Sequence, residues 1–371
     1  MKNLKSLRIF VLTAALVCTS GVLLHAQTAP RSYYVSATGD DNNNGRSEAA
    51  PFRTLDKAVE AAKAGVIKTI TVIGTIEDSF TTTHGKIFNK LEIRNTGTDE
   101  ILITGKPDAS EAEKAVFNSP VSIYNAKIRF THIEMKVGGR ELYFSNTEVT
   151  MGRGAVATSI SLDRESSLIM TDNASVTGGL GIALNGSLTM TDNASVTGNN
   201  RNGINVSERA VFIMRDNAII TNNKEKGVSG QGDITLSGNA QISNNGKSGI
   251  EGRGKVILSD NAEISSNGGN GLIVTGGTVT VSGNVKINGN KGAGVYLERG
   301  TLNMNGGTIT GNKAEYGAGV YLEKGTFSFT GGSITGNEAE FVGGGVYVKS
   351  GATYTAGGGY GKRQHRGRWR Q

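Results

Sequence analysis

Between Gly181 and Gly345 the chain repeats itself, and the repeat leaves few folds open. An apolar segment behind a glycine recurs as GIALNG at Gly181, GINVSE at Gly203, GVSGQG at Gly227, GIEGRG at Gly249 and GLIVTG at Gly271. It continues as GVYLERG at Gly294, GVYLEKG at Gly319 and GVYVKSG at Gly345, so the steps are 22, 24, 22, 22, 23, 25 and 26 residues. A second segment alternates apolar and polar residues: SLTM, DITL, KVIL, TVTV, TLNM and TFSF. Period two puts one set on one face of a strand: Leu188/Met190, Ile234/Leu236, Val256/Leu258, Val279/Val281, Leu302/Met304 and Phe327/Phe329. A third, brief segment centres on Val196, Ile220, Ile242, Ile264, Ile287, Ile309 and Ile334. One unit of three short strands cannot bury its apolar face alone, whereas stacked units share one core. The expectation is an all-β chain, a right-handed parallel β-helix with coils of about 22 residues. A leucine-rich repeat of this period needs Leu-x-x-Leu-x-Leu and a helical half; neither is present, and glycine every few residues opposes helix.

Two polar columns accompany the strands. Three residues beyond each third-strand apolar residue stands an asparagine: Asn199, Asn223, Asn245, Asn267, Asn290, Asn312 and Asn337. Asparagine tolerates the left-handed region and its side chain can bond along the stack, which predicts an asparagine ladder. The other column contains MTDNASVTG, found at Met170 and again at Met190. Asp beside Asn invites a carboxylate site. The slot, however, reads TDNA twice, then RDNA at Arg215, SGNA at Ser237, SDNA at Ser259 and SGNV at Ser282, and finally NGGT and TGGS. Catalysis is not indifferent between a carboxylate and nothing, but a turn at positive φ accepts Gly, Asn and Asp alike. The slot therefore reads as a corner between the second and third strands. Of the histidines before the C-terminal tail, His84 lies in no motif, and His132 in RFTHIEM reads as a half-buried strand residue. No His or Cys spacing suits a metal, and no nucleophile-elbow or phosphate-loop motif occurs.

Charge excludes one class of partner. Residues 1–27 and 362–371 hold eight of the 39 basic side chains and no Asp or Glu, leaving 31 basic against 32 acidic in the body. Nucleic-acid binding needs a sustained basic excess and is not expected. Lys2, Lys5 and Arg8 precede an apolar run from Ile9 to Leu24, and Leu24-His25-Ala26 suits cleavage before Gln27. Residues 1–26 read as a signal peptide, placing the protein outside the cell or on the outer surface of a bacterium. Cys18 is the sole cysteine and lies in this segment; Val17 stands where lipidation favours a small residue. The mature chain has no disulfide to rely on.

Tyr33 to Ala62 reads YYVSATGDDNNNGRSEAAPFRTLDKAVEAA. Leu55, Ala58, Val59 and Ala62 fall on one helical face behind the N-cap candidate Thr54. A short helix there would cap the open end of a solenoid. The stretch resembles the opening of secreted bacterial pectin-lyase-like β-helix proteins, with YYVS, a Gly/Asn/Asp loop and PF-TL leading into a helix. The resemblance implies a polysaccharide lyase or glycoside hydrolase, with Ca²⁺ on clustered Asp and an Arg or Lys base. No such cluster is apparent. ITGNKAEYGAGVYL and ITGNEAEFVGGGVYV are similar to the polymorphic outer-membrane-protein repeats of bacterial surface adhesins, which implies attachment to a glycan or to another host- or cell-surface component, with peripheral envelope association.

Two candidate sites follow from the residues. In GVYL, GVYL and GVYV the flanking apolar residues turn inward, so Tyr296, Tyr321 and Tyr347 point outward, one per coil. They are either a sugar platform or simple aromatic packing. DDNNNG supplies Asp40, Asn42, Asn44 and Gly45 in the D-x-N-x-N-G half of a calcium loop. Pro51 occupies the twelfth position, where a bidentate Glu is expected, and Glu48 is the substitute ligand; the alternative is a polar turn. The organisation expected is a signal peptide (1–26), a first coil with capping helix (27–64), the β-helix (65–359) and a non-repeat tail (360–371). That tail, YGKRQHRGRWRQ, has five basic residues and breaks the rhythm in one step, which reads as a frameshift or truncation near Gly359; the alternative is a genuine basic tail for membrane or wall contact. The functional expectation is adhesion or glycan binding without catalysis; the lyase or hydrolase remains the alternative.

Overall fold

A computed structural model describes residues 32–76, 79–81, 87–89, 91–94, 99–110, 114–119, 121–136 and 141–357. The signal-peptide, Cys18, His84 and C-terminal-tail expectations lie outside these residues. The described residues form one compact unit, a parallel β-solenoid of about 11 turns with one helix among them.

Three strand columns build it. The column of alternating segments runs the whole length, from Ser32–Ser36 through Thr69–Ile73 and Ile101–Thr104 to Thr353–Ala356, always in parallel register. In it Ile234, Val256, Val279, Leu302 and Phe327 occupy successive coils at one position, all 0–1% exposed. Among the described residues of the early, less regular segments, Leu91–Arg94 pairs with Val121–Tyr124 and Thr75–Ile76 with Ala115–Phe117 in the same columns, whereas Ser79–Thr81 and Ile87–Asn89 pair antiparallel outside them. The core is therefore a stack of like residues along the axis, as period two requires.

The asparagine ladder is present and closed. Asn267 Oδ1 accepts from the Asn245 backbone N–H (3.1 Å) and from Asn245 Nδ2 (3.0 Å). Asn267 Nδ2 in turn donates to Asn290 Oδ1 (3.0 Å) and to the Ile242 carbonyl one coil back (3.2 Å). The same pattern links Asn199, Asn223, Asn245, Asn290 and Asn312, all at most 1% exposed. Packing around the ladder also explains the glycine that opens the first strand at Gly203, Gly227, Gly249, Gly271, Gly294 and Gly319. A β-carbon on Gly249 would sit 2.6 Å from Ile264 Cγ2, 2.7 Å from the Gly271 carbonyl oxygen and 2.9 Å from Asn267 Nδ2. The third-strand isoleucine, the next coil's glycine carbonyl and the ladder amide together fill the space that any side chain there would need.

The MTDNASVTG slot is a corner. Asp172, Asp192, Asp216 and Asp260 have φ of 56°, 52°, 58° and 57°, and Gly238 and Gly283 have 62° and 67°. Asp and Gly thus share one left-handed position, and the following alanines Ala174, Ala194, Ala218, Ala240 and Ala262 are buried. The slot's asparagines form a second, exposed ladder: Asn239 Nδ2 donates to Asn217 Oδ1 (3.1 Å), Asn261 to Asn239 (3.2 Å) and Asn284 to Asn261 (3.2 Å). Where NGGT and TGGS replace the slot, the second and third strands run on as Thr301–Thr310 and Thr326–Thr335, with register shifts near the Gly pair. His132 departs from the strand reading. It is half-buried, but it occupies a corner at φ 50° between the strands Lys127–Thr131 and Ile133–Met135.

The N-terminal end is closed as the sequence suggests. Helix α1 (Leu55–Ala64) buries Leu55, Ala58, Val59 and Ala62, and its N-cap Thr54 accepts from Lys57 N–H. It packs on the strands Ser32–Ser36, Thr69–Ile73 and Leu91–Arg94. Phe52 covers the outer edge of the first strand: its N–H donates to Tyr34 O (2.8 Å), and its carbonyl accepts from Ser36 N–H (3.0 Å).

Candidate functional site

Tyr296, Tyr321 and Tyr347 lie in register on successive first strands and point away from the core, while Val295, Leu297, Val320 and Leu322 are 0% exposed. The Tyr296 and Tyr321 rings are stacked, with centroids 5.0 Å apart and planes at 19°. Tyr321 and Tyr347 are 5.2 Å apart at 33°. Each ring of the stacked pair covers a face of the other, so ring edge and phenol oxygen are what that pair offers a ligand.

Two further rings, absent from the sequence expectation, complete the cluster. The last two full coils are longer because residues are inserted between the ladder asparagine and the next glycine. Asn267 and Gly271 are four positions apart, Asn312 and Gly319 seven, and Asn337 and Gly345 eight. The insertions pair with each other as a parallel ribbon, Lys313–Tyr316 with Glu338–Val342. They place Tyr316 and Phe341 side by side at 5.1 Å, with Tyr316 5.9 Å from Tyr347. Tyr316 is 40% exposed and Phe341 59%, so the ribbon carries much of the open ring surface. The aromatic residues of AEYGAG and AEFVGGG, together with the lengthened interval, were the available signal.

A polar latch crosses the column. The Tyr296 hydroxyl donates to Glu323 Oε2, and Lys349 Nζ donates to Glu323 Oε1 (3.0 Å). Burial and this carboxylate hold the Tyr296 phenol well above its ordinary range. The bonds from Tyr296 and Lys349 hold the Glu323 carboxyl below the usual carboxylate range. Among the described residues the Tyr321 and Tyr347 hydroxyls have no hydrogen-bond partner.

The loop Asp40–Glu48 sits at the other end. Asp40 Oδ1 accepts from the Asn42 backbone N–H and from Asn42 Nδ2, both at 2.9 Å. Asn44 Oδ1 accepts from Arg46 N–H (2.9 Å), and Glu48 Oε2 is paired with Lys106 Nζ (2.7 Å). Asp41 ties the loop to α1: its Oδ1 accepts from Arg53 and Thr54 N–H and its Oδ2 from the Thr54 hydroxyl. Among the described residues no group of three His, Cys, Asp or Glu side chains is gathered for a metal ion. A polar concavity of about 380 Å³ lies in the early coils, lined by residues including Asn125, Lys127, Asn146, Glu148 and Glu165. Lys127 and Glu148 form an ion pair across it (3.1 Å).

The sequence profile described as a right handed beta helix region matches residues 216–358. The fold is a right-handed parallel β-helix. No curated protein matches the sequence. Among solved structures, the A-module of a mannuronan C-5 epimerase from Azotobacter vinelandii is similar at 13% identity and a TM-score of 0.48, covering 84% of this chain and 97% of that one. The pectate lyase Pel9A shares 17% identity at a TM-score of 0.30, over 86% of this chain and 79% of that one. A lacto-N-biosidase from Eubacterium ramulus shares 11% at 0.26, over 89% and 67%. At these scores the likenesses carry no argument about activity.

Proposed function

We propose that this β-helix protein is exported to the surface or surroundings of a bacterium and holds a glycan there, acting in adhesion rather than catalysis. The observation that carries the reading is the five-ring cluster of Tyr296, Tyr316, Tyr321, Phe341 and Tyr347, which opens aromatic edge and face to solvent on a rigid scaffold. Aromatic rings with a polar handle suit ligands that are apolar on one side and hydroxylated on the other. Glu323, beside the tyrosine column, is engaged by Tyr296 and Lys349, and the aspartate column sits at left-handed corners. Both arrangements favour binding over acid–base work. Changing Tyr296, Tyr321 and Tyr347 together to Ser is expected to abolish retention on a glycan array while circular dichroism stays unchanged; undiminished retention would refute the reading. Release of unsaturated uronate from mixed pectic and host glycans would replace it with the lyase alternative.

A further inference from the structure

The kind of glycan can be argued from charge. Residues 295–349, which carry all five rings, contain four basic side chains (Arg299, Lys313, Lys324, Lys349) and five acidic ones (Glu298, Glu315, Glu323, Glu338, Glu340). Three of the four cations are already paired: Lys349 with Glu323 at 3.0 Å, Arg299 with Glu298 at 3.1 Å and Lys313 with Glu338 at 2.9 Å. Lys324, the fourth, adds its field to the same Glu323. Glu315 and Glu340 lie on the ribbon strands that present Tyr316 and Phe341. An acidic polymer settling on the rings would bring like charge against this surface with no uncommitted cluster of lysine or arginine to receive it. Juxtaposed like charges are the usual means by which a surface refuses a partner.

The direction of the chain follows from the ring geometry. Tyr296, Tyr321 and Tyr347 advance one ring per coil, at 5.0 and 5.2 Å, and Tyr316 and Phe341 form a second column at 5.1 Å. Both columns run along the solenoid axis and touch at Tyr316–Tyr347, 5.9 Å apart. A linear ligand lying along the axis meets new rings at each of these three coils; one lying across it meets at most one pair.

Resting on the glycan-binding reading above, we propose that this aromatic face takes an uncharged linear polysaccharide laid parallel to the axis and refuses polyuronates. The test is affinity electrophoresis of the full chain in gels holding a neutral β-glucan, a galactomannan, polygalacturonate or alginate, at low and high salt. Tyr316→Ser/Phe341→Ser serves as the comparison, with its fold checked by circular dichroism. Retardation by a neutral polymer that is indifferent to salt, weakens at least tenfold in the variant (about 1.4 kcal/mol), and strengthens from di- to tetrasaccharide competitors supports the proposal. Adding Glu315→Lys and Glu340→Lys should then create salt-sensitive retardation by polygalacturonate. Ring-dependent retardation of the parent protein by polyuronates and not by neutral polymers would overturn the proposal and leave the glycan-binding reading standing. Retardation by none of the polymers would overturn both.

Discussion

Replacing Asn267 by Ala tests whether the ladder holds the coils together or merely decorates them. The side chain takes part in four hydrogen bonds, two accepted from Asn245 and one donated to each of Asn290 Oδ1 and the Ile242 carbonyl. Asn267 is 0% exposed, so water does not replace them. Truncation leaves the Asn245 backbone N–H without an acceptor, at about 1–3 kcal/mol, while Asn245 Nδ2 keeps the Ile220 carbonyl and the Ile242 carbonyl keeps its place in the parallel ladder. Asn337 at the end of the ladder is half-buried. Its loss should cost only about 1 kcal/mol, since solvent takes over part of the bonding. The assay is the urea midpoint, with hydrogen exchange on the peptide 241–247 to show that loss is local to the adjoining coils. Asn267→Asp adds a pH signature. It keeps an acceptor towards Asn245 but turns a second acceptor on the Ile242 carbonyl. Burial raises its folded pKa above the ordinary value of about 3.9. Stability relative to the parent is then best below the unfolded pKa and is lost as pH rises through the folded one. Equal midpoints for the parent and Asn267→Ala, or a pH-independent deficit for Asn267→Asp, would refute the reasoning.

The other predictions concern single positions. Ile264→Asp puts a carboxylate at a 0% exposed site and should lower the melting temperature severely, by several kcal/mol of stability; a curve that barely moves would contradict the inward assignment. Gly249→Ala drives a methyl into Asn267 Nδ2 and Ile264 Cγ2, and should cost about 1–3 kcal/mol in urea although it is only one carbon. At the corner, Asp192→Gly suits φ near 52° but gives up the carboxylate that accepts from Asp172 N–H and the Thr171 and Thr191 hydroxyls, so the urea midpoint should fall slightly, and Asp192→Val, which also strains the backbone, should lower it further; glycan retention should change in neither. Because Asp40, Asn44 and Glu48 are engaged by Asn42, Arg46 and Lys106, calcium at millimolar concentration should give no heat in calorimetry; a saturable isotherm would make the loop a metal site.

Much of the fold was legible because a solenoid writes each structural demand several times. One Asp at a corner is ambiguous between a catalyst and a turn; six coils in which Asp and Gly exchange at one φ are not. The inward residues followed from period two, and the helix from its 55, 58, 59, 62 spacing, since both are local rules. What stayed hidden depended on neighbours in space. His132 lies in a run that alternates like a strand, yet it takes φ 50° at a corner between two strands. Asp41 looks like its neighbour Asp40, and only the folded loop brings it to Thr54 at the start of α1.

The candidate site shows the same division. That the tyrosines point outward is a property of each strand and could be read from GVYL. What they present to a ligand is a property of the stack. Parallel strands lie about 4.8 Å apart, so identical rings in register are driven face to face, and the observed 5.0 Å centroid spacing follows. An unbroken tyrosine column therefore hides its own faces and gains about 0.5–1.5 kcal/mol per pair for doing so. Open ring surface appears where the stack is interrupted or flanked. Here that is the ribbon of the two lengthened coils, where Phe341 and Tyr316 stand 59% and 40% exposed. The insertion of three and then four residues ahead of Gly319 and Gly345 is thus the feature that turns a packing column into a surface able to meet a ligand. Shortening both coils to the common four-residue interval should leave the ladder and core intact and remove glycan retention; retention that survives would return the site to the tyrosine column alone.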